Sequence, residues 1–190
     1  MNFLRTIRFN LVFIFSIFLA ACGQQAAPIT YETVSPGTLK PGDPIPVPTG
    51  DVVLTVDGMI EQKNSGETLQ FDIAALESIG LVQYDVDDPF IKKNILYTGV
   101  LLSQLLDAAG MSPDATIITL HALDDYSTDM KISDADKWPV LVATQADGAY
   151  MAVDNNGPLI SIFPFNDYPE IDHLTYDALW VWSLSAITVK

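Results

Sequence analysis

One cysteine in 190 residues, Cys22, limits what this chain can fold into. No disulfide can form within the chain, so the fold rests on a hydrophobic core alone. Cys22 also stands at the end of an apolar leader. Arg5 and Arg8 precede a run from Asn10 to Ala20 that is almost wholly apolar, and Ala20 and Ala21 follow as small residues. This is the charged, apolar, small-residue order of an export signal, and the run is shorter than the roughly 20 residues that span a bilayer. The domain therefore has to be sought downstream of Cys22.

Leu19-Ala20-Ala21-Cys22 resembles the cleavage box of bacterial lipoproteins. That resemblance implies a signal peptide over residues 1–21, lipid on the Cys22 thiol, and a mature protein held on the periplasmic side of a bacterial membrane, the outer membrane by expectation. A stable hold takes more than one acyl chain. Cleavage removes Arg5 and Arg8 and no acids, which takes the net charge from −15 to −17 and leaves lysine as the only basic residue besides two histidines. A chain this acidic repels nucleic acid and anionic headgroups. Without arginine it also lacks the usual bidentate clamp for phosphate.

Residues 22–50 read as a tether. Pro28, Pro36, Pro41, Pro44, Pro46 and Pro48 punctuate it, and no apolar periodicity appears. Such a segment buries too little surface to offset its ordering entropy. Residues 51–190 are the size of one domain with a normal core. Within them, strands are expected over 52–56, 68–71, 95–100, 115–122, 139–144, 159–163 and 179–189. Helices are expected from Asp72 to Ser78, from Ser103 to the stop at Gly110, and over Ser133 to Lys137. The expected fold class is α+β, β-rich with two or three short helices, not alternating βαβ. Neither GxGxxG nor a P-loop is present. Asp85, Asp87 and Asp88 read as a solvated acidic loop rather than a calcium site.

The order of four stretches resembles the molybdopterin-binding domain of the sulfite oxidase-like oxidoreductases. They are Leu54-Thr55-Val56-Asp57-Gly58; Tyr97 to Gly110, with its G-V-x-L-x-x-L-L-x-x-A-G pattern; Asp124-Asp125-Tyr126-Ser127 with Pro139 to Ala143 and Asp147-Gly148; and Asn156 to Leu159 with Phe163-Pro164 and Trp180 to Leu184. The likeness spans about 51–190. Members of that family ligate molybdenum through a cysteine thiolate and hold the cofactor phosphate with basic residues, commonly arginine. Neither cysteine nor arginine occurs in 51–190. The resemblance therefore implies the fold without the molybdenum cofactor, as in a similar group of small periplasmic proteins that bind pterins beside membrane sensors of cyclic-dinucleotide turnover and biofilm regulation.

A pterin needs an aromatic face, and a carboxylate or carbonyl opposite its 2-amino and N3–H donors. Asp124, Asp125 and Tyr126 offer both, with Asp125 and Tyr126 foremost; the plain alternative is an Asp-rich turn. Phe165, Asn166 and Asp167 leave a buried strand and could wall and read a heterocycle, or simply form a proline-punctuated loop. Trp180 and Trp182 are two apart on an expected strand and so share a face. Trp138 reads as structural. His121 and His173 show no metal-ligand spacing, and nothing resembles a nucleophile elbow. The sequence thus points to a non-catalytic, lipid-anchored periplasmic pterin-binding protein. Its expected partners are the pterin, a membrane-bound signalling protein, and the membrane through the anchor alone. The alternative is a molybdenum-pterin oxidoreductase.

Overall fold

A computed structural model describes residues 30–40 and 42–190. The expected signal peptide and the expected lipidation site at Cys22 lie outside the described residues. Two sheets form the domain. In the first, β1 (Glu32–Ser35), β4 (Leu81–Asp87), β5 (Asn94–Leu101), β8 (Leu141–Ala146) and β10 (Ile160–Ile162) are neighbours in that order, all antiparallel, and β9 (Ala149–Tyr150) pairs with β8. The second runs β3 (Leu69–Phe71), β2 (Leu54–Gly58), β11 (Leu184–Val189), β6 (Ile117–Ala122), β7 (Ser127–Lys131). Only β2 and β11 pair in parallel there. Short helices α1 (Ile73–Glu77), α2 (Leu102–Ala108), α3 (Ile132–Lys137) and α4 (His173–Tyr176) lie between strands. This is the α+β, β-rich fold class that the sequence leads one to expect. None of these helices is long and apolar enough to cross a membrane.

Period-2 alternation builds the sheets. In β4, Val82, Tyr84 and Val86 are buried while Asp85 and Asp87 face outward. The strand-to-helix stretch Ile95 to Leu106 buries Tyr97, Val100, Leu101, Leu102, Leu105 and Leu106. Gly99 is required there: a Cβ would come within 2.2 Å of the Val142 carbonyl oxygen on β8. Asp72 caps α1 as expected, accepting from the Ala75 N–H at 2.8 Å.

Four expectations change. Residues 30–50 do not all hang free as a tether: β1 pairs with β4, Ile45 is buried, and Asp72 Oδ2 accepts from the Thr49 and Gly50 N–H groups. All four β1 residues are exposed, so its place comes from the β4 edge and not from any apolar pattern. The acidic stretch at 85–88 is not a solvated loop: Asp85 and Asp87 belong to β4, and Asp88, which opens the loop that follows, is buried. The polar β7 was also not anticipated. Finally, the last strand begins at Leu184, not Leu179. The Val181 N–H donates to Ser161 Oγ at 2.8 Å and the Ser183 N–H to the Asn156 carbonyl at 2.7 Å, with Ser183 in the left-handed region (φ 49°).

Candidate functional site

Three irregular segments meet at one end of the domain. They are the loop from Asp88 to Asn94, the β6–β7 turn from Ala122 to Tyr126, and the stretch from Asp172 to Ser183 that leads into β11. Between them lies a cavity of about 420 Å³. Phe90, Tyr126, Trp180 and Trp182 contribute its aromatic walls, and Asp124 and Asp177 its carboxylates. No cationic side chain lines it.

Asp88 organises the first segment. Its Oδ1 accepts from the N–H groups of Phe90 (2.8 Å) and Ile91 (2.9 Å), and its Oδ2 from the Tyr97 hydroxyl (3.0 Å). Its own N–H donates to the Lys93 carbonyl, and the Lys92 N–H donates back to its carbonyl. Burial, and then the bond to Asp88, hold the Tyr97 hydroxyl far above its ordinary pKa, so it remains a donor. The Tyr97 ring meets Trp180 edge-on at 5.9 Å. Phe90 meets Trp182 edge-on at 4.9 Å and Trp180 at 6.1 Å. One buried carboxylate thus fixes a wall of the cavity through both its oxygens.

The second segment is held by Tyr126. Its carbonyl accepts from the Ala122 N–H, and its hydroxyl donates to the Ala178 carbonyl at 2.8 Å, which ties the turn to the third segment. In that third segment Asp172 caps α4 and His173 Nδ1 lies 2.9 Å from Asp177 Oδ1. Trp180 is 4 % exposed, and its Nε1–H has no hydrogen-bond partner. A buried donor without an acceptor is rare and costs roughly 1–3 kcal/mol.

Of the residues expected from sequence, Asp124, Tyr126, Trp180 and Trp182 come together on this cavity. The two tryptophans do so from an irregular segment, not from a strand face. Phe165 stands behind the wall, stacked on Trp180 at 5.9 Å and on His173 at 4.1 Å. Asp125 does not line the cavity; it occupies the left-handed position of the turn (φ 67°) and is exposed. Asn166 and Asp167 line a separate cavity of about 290 Å³ beside Thr30, Gln83 and Asp85. There Asn166 Oδ1 accepts from the Asp87 N–H, which braces the base of the Asp88 loop. Sequence reasoning missed Phe90, Asp88 and Asp177. The alternation through Val82, Tyr84 and Val86 was the available signal, since it ends a strand just before Asp-Pro-Phe.

The family model described as "Oxidoreductase molybdopterin binding domain" matches residues 88–166. That span starts at the Asp88 knot and ends beyond β10. Among solved structures, the fold is similar to the sulfane dehydrogenase SoxCD from Paracoccus pantotrophus, with a TM-score of 0.54 and 16 % sequence identity. The likeness covers 72 % of this chain and 37 % of that one, so the chain spans little more than a third of the enzyme it resembles. No curated protein matches.

The fold relatives imply a molybdenum-pterin cofactor, and the cavity's donor set does not fit the metal and phosphate parts of it. Carboxylates and aromatic faces offer no thiolate for a soft metal and no cation for a phosphate dianion. Among the described residues no cluster of three or more His, Asp or Glu side chains could hold a metal ion. The same donor set suits a flat, nearly neutral heterocycle that carries N–H donors.

Proposed function

We propose that this chain is a lipid-anchored periplasmic pterin-binding protein without catalysis, which relays pterin occupancy to a membrane-bound signalling partner of cyclic-dinucleotide control. The observation that carries the reading is the cavity at Phe90, Tyr126, Trp180 and Trp182. It offers ring faces for stacking and, in Asp124, a carboxylate for two parallel N–H donors. A pterin supplies the complement of both: a planar ring, and a 2-amino group beside N3–H. Asp124 is the carboxylate for the amino edge, which leaves the opposite, side-chain end of the ring toward Asp177.

Oxidised and reduced pterins should raise the melting temperature by ordinary linkage to the folded state. An unmoved transition at millimolar pterin would sink the reading. Lipid on Cys22 is tested by mass spectrometry of the mature amino terminus; an unmodified thiol removes the anchor. For the relay, pterin-dependent cross-linking of the intact lipoprotein to a membrane receptor is expected in cells. Equal cross-linking with and without pterin would separate signalling from binding.

The family match over residues 88–166 favours a second reading, a molybdenum-pterin oxidoreductase with an unusual metal ligand. Elemental analysis of protein made in molybdenum-replete cells decides between the two, since stoichiometric metal would replace the first reading with the second.

A further inference from the structure

A second cavity, of about 520 Å³, opens beside the first. It is lined by Asp87, Lys92, Lys93, Asn94 and His173, and Asp177 lies on the walls of both cavities. The turn that Asp88 ties therefore serves two sides: it delivers Phe90 to the aromatic cavity and the two lysines to its neighbour. Lys92 holds a left-handed backbone (φ 56°) within that turn. The carboxylates around the lysines are already engaged. Asp88 spends both oxygens on Phe90, Ile91 and Tyr97; Asp87 Oδ1 accepts from Asn94 Nδ2 at 2.9 Å; Asp177 Oδ1 faces His173 Nδ1. The lysine ion pairs among the described residues are Lys63–Glu67 and Lys190–Asp129, so neither Lys92 nor Lys93 is in one. Two lysines outside any ion pair thus line a cavity whose neighbour has aromatic walls and no cation.

Building on the pterin reading, we propose that the ligand is a pterin whose side chain ends in a carboxylate. The ring occupies the aromatic cavity, and the carboxylate crosses the Asp177 boundary to Lys92 and Lys93. A singly charged anion suits this site better than a phosphate dianion. Three aspartates, Asp87, Asp88 and Asp177, stand against the two lysines, so an anion is held by direct contact with the ammonium groups and not by net charge, and a second negative charge adds repulsion; lysine is also a point charge that offers no planar fork. Asn94 and His173 also line this cavity and add polar groups.

The test is calorimetric titration of the intact chain with three pterins that differ only in side chain: a neutral polyol, a carboxylate and a phosphate monoester. The carboxylate form should bind at least tenfold more tightly than the polyol form. In the Lys92→Gln/Lys93→Gln double variant that advantage should vanish while polyol affinity stays within twofold. High salt should shrink the advantage in the native chain. Equal affinity of polyol and carboxylate forms overturns the tail assignment and leaves ring binding intact. So does an advantage that survives in the double variant, or a larger gain from phosphate than from carboxylate. Binding of none of the three overturns the pterin reading and this inference together. Because both lysines are exposed, the double variant is expected to fold, and its unchanged melting temperature without ligand verifies that.

Discussion

Two buried aspartates, sixteen residues apart, do the same local work for opposite ends. Asp72 accepts from three backbone N–H groups, Thr49, Gly50 and Ala75, and so fastens the approach segment to the start of α1. Asp88 accepts from two backbone N–H groups and one phenol, and so fastens the loop that builds the cavity wall. In each case several donors converge on one carboxylate, which is how a buried charge becomes tolerable. The difference is the third donor. At Asp72 it is local backbone, three residues away. At Asp88 it is Tyr97 on the neighbouring strand, whose ring touches Trp180. Asp72 therefore affects stability alone, while Asp88 links stability to the geometry of the candidate site.

Asp88→Ala should show the largest effect. It leaves the Tyr97 hydroxyl and two N–H groups without an acceptor, at a cost of about 3 kcal/mol, and releases Phe90 from the cavity wall. Urea unfolding should report an earlier midpoint, and pterin affinity should fall with it. A loss no larger than that of Asp72→Ala, with affinity unchanged, would erase the distinction between the two aspartates.

Trp182→Ala separates binding from folding on the cavity side. At 36 % exposure the ring contributes modestly to the core, yet it lines the cavity in edge-on contact with Phe90. Removing an aromatic platform for a planar ring costs roughly 1–3 kcal/mol of binding, so affinity should drop about tenfold or more while the melting temperature scarcely moves. A large loss of stability with unchanged affinity would return Trp182 to a structural role.

On the other side, Asp72→Ala should cost about 1–2 kcal/mol of stability, in the range of a lost helix cap, and leave ligand affinity alone. The Ala75 N–H first, and then that of Gly50, hold its carboxyl below the ordinary value. The unfolded chain returns it to near pH ~3.9. Its stabilisation is therefore complete above that value and is lost as pH falls through the lower folded value. Melting curves for the native chain and Asp72→Asn should converge on acidification below about pH 4. A constant gap between them down to about pH 2 would contradict the assignment.

The same contrast explains what the sequence could disclose. The Asp72 cap was legible because a cap is local: an aspartate, then Ile73 and Leu76 at helical spacing. The strands that alternate or run apolar, such as β2, β5 and β6, were legible for the same reason. The edge strand β1 was not, because nothing in Glu-Thr-Val-Ser distinguishes it from tether until β4 is beside it. Asp88 was not, because its third donor lies nine residues on and across a sheet. Trp180 and Trp182 were chosen on a strand argument that the backbone does not follow, yet they reach the cavity because an apolar run of this size has to be enclosed somewhere. Asn166 and Asp167 looked equivalent to Asp124 in composition; only the packing of the loop from Phe163 onward directs them to another cavity.

The smallest expected effect tests that last point most cleanly. Asp125 and Asp124 are adjacent and chemically identical, but Asp124 lines the cavity and Asp125 holds the left-handed corner of the turn. Glycine adopts that backbone at little cost. Asp125→Gly should therefore change stability by less than about 0.5 kcal/mol and leave pterin affinity within twofold, whereas Asp124→Asn should weaken binding. The pair holds overall charge and turn shape nearly constant, so any difference between them reports carboxylate position. Affinity lost at Asp125 and kept at Asp124 would mean that the turn presents its other carboxylate to the ligand, and the cavity edge would have to be redrawn around it.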